Sequence, residues 1–306
     1  MKQRSTRVRL IALGAAAIIG LAACGGSDDA SQDASEDEGI ETETSDSGFL
    51  TTGNDCTAGK TLAEGKLTIA TGNPAYEPWV VGDAPESKEG FEAAVAYGVA
   101  AEMGFSDENV VWVRTGFDEA IQPGAKNFDF NLQQYSITDE RKQTVSFSDP
   151  YYTTNQAVVG FADSPVAGAT STADLKGLKF GAQAGTTSLD FITNVIKPDT
   201  EPFVYDDNAG AKAALEAKQI DAIVLDLPTA FYVSAVEIEG SKVIGQFPAT
   251  DGVAADQFGM VFDLGNPLVE CVNEALSRMR DLTAELATFE EEWLSTYVQA
   301  PVIAVE

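Results

Sequence analysis

The stretch SITDERKQTVSFSDPYY, residues 136–152, decides how the rest of this chain is read. A hydroxyl residue, Ser136, stands five positions ahead of Arg141, and the run closes on Pro150 between Asp149 and the pair Tyr151-Tyr152. Ser136 and Arg141 both donate hydrogen bonds. Arg141 adds a permanent positive charge in a planar fork that matches a carboxylate. The stretch also lies at a junction: a strand pattern, Phe128 to Leu132, precedes it, and a second set of strands begins after Tyr152.

Upstream, KLTIA at Lys66 to Ala70 reads as a strand that ends in the turn Thr71-Gly72-Asn73-Pro74. Phe91 to Met103 carries apolar residues at three- and four-residue spacing, with Gly104 just beyond, and reads as a helix. Val110 to Val113 is the next strand and Phe117 to Ile121 a short helix stopped by Pro123-Gly124. Downstream, strands are expected at Gln156–Phe161, Leu178–Ala182, Ile220–Leu225, Lys242–Phe247 and Phe258–Phe262. Helices are expected at Ser171–Lys176, from Gly185 through Ile196, at Ala209–Ala217 and from Pro228, with two more at Pro267–Met279 and Leu282–Tyr297. Strand-helix-strand order of this kind favours an α/β class. The chain is expected to visit one lobe (56–153), a second (154–252) and the first again (253–306). Two connections, near residues 153–157 and 250–256, would then form a hinge over a cleft.

The two ends of the composition bound the location. Lys2, Arg4, Arg7 and Arg9 precede an apolar run from Leu10 to Ala23, too short to span a bilayer well, which reads as a signal peptide over residues 1–23. Leu21-Ala22-Ala23-Cys24 looks like a bacterial lipobox, implying lipidation of Cys24 and attachment to the bilayer through that residue alone. Gly25 to Asp55 holds ten carboxylates and no Lys or Arg, so residues 24–55 are expected to be a disordered tether. The net charge of −29 opposes nucleic acid as a partner. The sequence has no histidine, which excludes a Ser-His-Asp triad, a Cys-His pair and histidine metal ligation; no metal or cofactor is expected. Cys56 and Cys271 remain in the exported part, where an oxidising compartment permits a disulfide between them.

Over residues 62–299 the chain resembles the family 3 extracellular solute-binding proteins, the receptors of amino-acid ABC importers. The Ser136–Tyr152 stretch and DLKG at Asp174 to Gly177, followed by GTTS at Gly185 to Ser188, carry that resemblance. It implies a two-lobed, type II periplasmic-binding-protein-like fold, each lobe a mixed sheet flanked by helices, joined by a two-strand hinge. It also implies a ligand set. Arg141 and Ser136 would take the α-carboxylate of an amino acid, with Thr186 completing the clamp and Thr187 adding a backbone contact. The Gln134 backbone would accept from the α-ammonium, and Asp226 would pair with it. Tyr76 and Phe117 would form aromatic walls, Trp79 would pack behind them, and Asn73 would reach the ligand side chain. Gln134-Tyr135 departs from the family's usual glycine-hydrophobic pair.

The function so implied is an exported, monomeric receptor on the outer face of the bacterial cytoplasmic membrane. It would bind a polar amino acid, with glutamine or glutamate leading by resemblance, and hand it to ABC permease subunits. Two other readings compete: a sensory or protein-interaction lipoprotein of the same fold, and an enzyme relying on carboxylates such as Asp226 and Glu77.

Overall fold

The computed structural model describes residues 52–250, 253–294 and 299–306, which fall in one compact unit. The expected signal peptide, Cys24 and nearly all of the expected tether lie outside the described residues. The tether was expected to reach Asp55, but Gly53 and Asn54 donate their backbone N–H groups to Gly104 and Met103, which holds this end of the chain on the first lobe.

The first lobe contains β1 (Leu67–Gly72), α1 (Phe91–Glu102), β2 (Val110–Thr115), α2 (Phe117–Ile121), β3 (Phe130–Asn131) and β4 (Val145–Phe147). Its sheet runs β2-β1-β3 in parallel and is extended by β12 (Val261–Asp263), antiparallel to both β3 and β4. The helix α1 is apolar almost all round because the sheet covers one face while α7 (Leu268–Asp281) and α8 (Glu285–Leu294) cover the others. Gly98 permits that approach: a Cβ there would meet Met279 Cε at 2.5 Å. Cys56 and Cys271 form a disulfide that ties the start of the described chain to α7.

The second lobe contains β6 (Gln156–Phe161), α3 (Thr172–Leu175), β7 (Phe180–Gln183), α4 (Thr187–Phe191), β8 (Phe203–Tyr205), α5 (Asn208–Glu216), β9 (Ala222–Asp226), α6 (Leu227–Tyr232) and β10 (Ser241–Phe247). The order is β10-β6-β9-β7-β8, with β7 parallel to β8 and β9 while β6 runs antiparallel to its neighbours. Both sheets are mixed. The lobes are joined by β5 (Tyr152–Thr154) and β11 (Asp256–Phe258), which pair with each other in a separate two-stranded antiparallel ribbon.

Two segments differ from the expectation. Phe258–Phe262 is not one strand: the chain leaves the hinge at Phe258 and enters the first-lobe sheet only at Val261. Gly259 lies at the break, where a Cβ would meet Ile137 Cδ1 at 2.9 Å. Second, the final residues were assigned to the first lobe, yet 299–306 lie on the second. Gln246 N–H donates to the Pro301 carbonyl at 2.7 Å, and Ile303 N–H donates back to Gln246 at 2.9 Å. The reason is steric and apolar. Ile303 is 2 % exposed within the second-lobe core, and Gly245 leaves room for it, since a Cβ there would lie 2.6 Å from Ile303 Cγ1. The tail thereby covers the otherwise open edge of β10.

Candidate functional site

The cleft between the lobes is lined at the ends of strands and the starts of helices, where backbone groups and side chains point out of the sheets. From the first lobe come Thr71, Tyr76, Phe117, Gln133, Gln134, Ser136 and Arg141, and from the second Gln183, Thr186, Thr187, Asn208 and Asp226. The expected residues Tyr76, Phe117, Gln134, Ser136, Arg141, Thr186, Thr187 and Asp226 thus share one cavity. Asn73 does not line it: it is exposed, and Thr71, two residues earlier at the end of β1, lines the cavity instead.

Arg141 is 8 % exposed and spans the cleft. Its Nη1 donates to Ser136 O at 2.7 Å within the first lobe, and its Nη2 donates to Gly185 O at 2.8 Å in the second. The guanidinium lies 5.4 Å from the Phe117 ring centroid, and Phe117 in turn stacks on Tyr135 at 4.6 Å. These rings fix the fork's plane and keep water from one side. Burial lowers the guanidinium's pKa, a cost that an anionic partner would offset.

Thr186 and Thr187 direct their hydroxyls to different partners. Thr186 is the N-cap of α4: its hydroxyl accepts from Leu189 N at 3.2 Å and donates to Gln183 O at 2.7 Å. That single hydroxyl hydrogen is committed to Gln183 O, which leaves the side chain no proton to donate to a carboxylate. Thr187 is the residue whose hydroxyl faces the opposite lobe, 3.2 Å from Ser136 Oγ. The helix register decides this, because a cap side chain folds back on its own first turn.

Asp226 ends β9 and precedes α6 without capping it. Its Oδ1 accepts from Gln156 Nε2 at 2.9 Å, and the same nitrogen donates to Asp256 on the hinge strand at 2.7 Å. Gln156 Oε1 accepts from Ser188 Oγ at 2.7 Å, so one buried amide connects the hinge, β9 and α4. Burial pushes the Asp226 carboxyl well above its usual range, and the Asp256 charge adds to the shift. A cation beside it would hold it ionised.

Gln134 occupies a left-handed conformation, φ 51°, at a position where the resemblance leads one to expect glycine. A buried carboxylate holds it there. Glu92 Oε1 accepts the Gln134 backbone N–H at 2.7 Å, and Glu92 also accepts from Gln134 Nε2 and from the Tyr151 hydroxyl. Burial raises Glu92 to about 7, against the pull of those donors. The sequence reading missed Glu92 because it lies behind the loop rather than in the cleft. Trp79 is fully buried as expected, packed on Phe91, Tyr152 and Phe258, while its indole N–H reaches across to Thr229 Oγ1 at 2.8 Å. Glu77 does not line the cavity; it accepts from Gly82 N at 3.2 Å.

The chain is 30 % identical over 220 residues to a Campylobacter jejuni protein named "Probable histidine-binding protein", covering 70 % of this chain and 80 % of that one. It is 26 % identical to the arginine-binding periplasmic protein of Mannheimia haemolytica, over 72 % of this chain and 88 % of the relative. Among solved structures, an ancestral arginine-binding protein bound to glutamine superposes with a TM-score of 0.63 at 28 % identity, covering 76 % of this chain and 99 % of that one. The family model for bacterial extracellular solute-binding proteins, family 3, matches residues 67–296, and this chain belongs to that family.

Proposed function

We propose that this protein is the extracellular receptor of an ABC importer and binds a free polar amino acid between its two lobes. One observation carries the reading: of the residues lining the cleft, Arg141 alone is basic and Asp226 alone bears a carboxyl, so beside a zwitterion the two carry opposite charges. That is the complement of an α-carboxylate and an α-ammonium. Arg141, with Ser136 and Thr187, takes the carboxylate; Asp226 and the Gln134 carbonyl take the ammonium. Relatives named for arginine or histidine binding support the amino-acid class.

The cleft works as a clamp. The lobes already bond to each other through Arg141 and Gly185 and through Ser136 and Thr187, so a ligand that enters exchanges those bonds for bonds to itself. A ligand touching both lobes favours the closed arrangement by its differential affinity, and the β5–β11 ribbon is the element that bends. The closed face then engages permease subunits. Lipidation at Cys24 and the acidic segment behind it hold the receptor at the outer face of the cytoplasmic membrane. The protein binds its solute and leaves it chemically unchanged.

The direct test is calorimetric titration of the full-length protein in mild detergent against the twenty amino acids, after bound solute has been removed by unfolding and refolding. Micromolar or tighter binding of at least one amino acid is expected. No heat from any of them, with folding confirmed by circular dichroism, would reject the reading. Cys24→Ser should separately abolish incorporation of a labelled fatty acid in the producing cell.

A further inference from the structure

The polar groups of the cleft that the α-carboxylate and α-ammonium do not use are all uncharged. Thr71 at the end of β1 and Gln133 after β3 belong to the first lobe; Gln183 at the end of β7 and Asn208 at the start of α5 belong to the second. Gln133 is brought to the strand end by Gly72, where a Cβ would meet Gln133 Nε2 at 2.9 Å. Gln183 and Asn208 are placed together by the β7–β8 pairing, which sets Gln183 opposite Tyr205, three residues before Asn208.

These groups are short of partners. Among the described residues, no hydrogen bond uses the side chains of Thr71, Gln183 or Asn208, although Thr71 is 2 % and Gln183 9 % exposed. Gln133 uses only its Oε1, 3.0 Å from Tyr135 Oη, and keeps both Nε2 hydrogens. The two basic side chains nearest the cleft lining are each paired with a carboxylate, and the carboxylates Asp118, Asp190 and Asp207 beside it are exposed to solvent. Lys212, 5.1 Å from the Tyr76 ring centroid, pairs with Glu237 at 2.7 Å, and Arg114 pairs with Asp83 at 2.6 Å. Asp207 accepts from Gly210 N at 2.7 Å.

Resting on the amino-acid reading above, we propose that the ligand's side chain is neutral and ends in a carboxamide, as in glutamine or asparagine. The argument is one of charge balance. The two α-groups pair with Arg141 and Asp226, so a guanidinium, ammonium or second carboxylate would enter a closed cleft without a counter-charge, which is far costlier than burying an amide. An apolar side chain would leave the amides of Gln183 and Asn208 closed off from water and unpaired. A carboxamide both donates and accepts, and meets amides and a hydroxyl that do the same. Selectivity then comes mainly from penalties against the wrong side chain. The proposal separates this chain from relatives named for arginine binding, whose ligand is a cation at its far end.

The test is competitive calorimetry on the full-length protein in mild detergent with glutamine, asparagine, arginine, lysine, glutamate and leucine. Glutamine or asparagine should bind at least 100-fold more tightly than the other four. Asn208→Asp and Gln183→Glu should each move the preference towards arginine by tenfold or more, because each supplies the missing counter-charge. Arginine, lysine, glutamate or leucine binding within tenfold of the better carboxamide would overturn the inference while leaving the receptor reading intact. Silence from all six and from the remaining amino acids would instead remove the receptor reading, and this inference with it.

Discussion

Arg141, carried by the first lobe, donates to the Gly185 carbonyl of the second lobe at 2.8 Å, so the residue that most resembles a carboxylate clamp is also a bond between the lobes. On the proposed reading, ligand capture and lobe closure would meet at this one guanidinium. Arg141 has donors left after its two carbonyl bonds, and a carboxylate between the lobes satisfies them with charge as well as hydrogen bonds.

Arg141→Ala is expected to weaken binding of the cognate amino acid at least 100-fold, in line with losses of about 2–5 kcal/mol when one partner of a buried charge pair is removed. Arg141→Lys keeps the charge but not the fork, and should recover only part of the loss. Calorimetry on folded variants checks both; affinity unchanged in Arg141→Ala would reject the clamp.

Glu92 gives a pH dependence with a defined sign. Its carboxyl is raised from 4.5 to about 7 in the folded chain, so the folded state binds more protons than the unfolded state between those values. Its contribution to stability is therefore greatest below 4.5 and is lost as pH rises through 7, with a slope of at most about 1.4 kcal/mol per pH unit. Glu92→Gln should flatten that part of the curve. Comparing urea unfolding of the two proteins between pH 5 and 8 isolates the effect from other acids, and parallel curves would contradict it.

The disulfide closes a loop with a sequence separation of 215 residues. Replacing both cysteines by serine should cost about 2–5 kcal/mol of stability while leaving amino-acid affinity within a fewfold, because the bridge packs on the first-lobe core and neither cysteine lines the cleft. Denaturant unfolding and calorimetry read the two effects separately.

The C-terminal tail carries a further stability test. Ile303→Ala removes a side chain that is 2 % exposed in the second-lobe core and should destabilise by about 2–4 kcal/mol. A loss under about 0.5 kcal/mol would mean that the tail merely rests on the surface.

Much of this arrangement was legible in the sequence because it rests on local patterns. Strand-helix alternation pointed to α/β units, and the resemblance carried by Ser136–Tyr152 pointed to Ser136 and Arg141, which do line the cleft. What was not legible depends on tertiary placement. Whether Asn73 or Thr71 enters the cavity turns on where β1 ends, a matter of a residue or two at a strand boundary. That Thr186 rather than Thr187 takes the N-cap follows from the helix register, which sequence spacing does not separate from its neighbour. Gln183 and Asn208 come together only through the β7–β8 register, and the tail's return to β10 depends on the space left by Gly245, 58 residues before Ile303.

The most direct test of the central claim uses three ligands: the cognate amino acid, its des-amino analogue and its α-carboxamide, each titrated calorimetrically into the same protein. With Arg141 as the one basic residue and Asp226 as the one carboxyl of the cleft lining, the parent compound should bind at micromolar affinity or better, and each analogue should lose at least 100-fold. Either analogue binding within tenfold of the parent would show that the cleft does not read both charges of an amino acid, and would contradict the account.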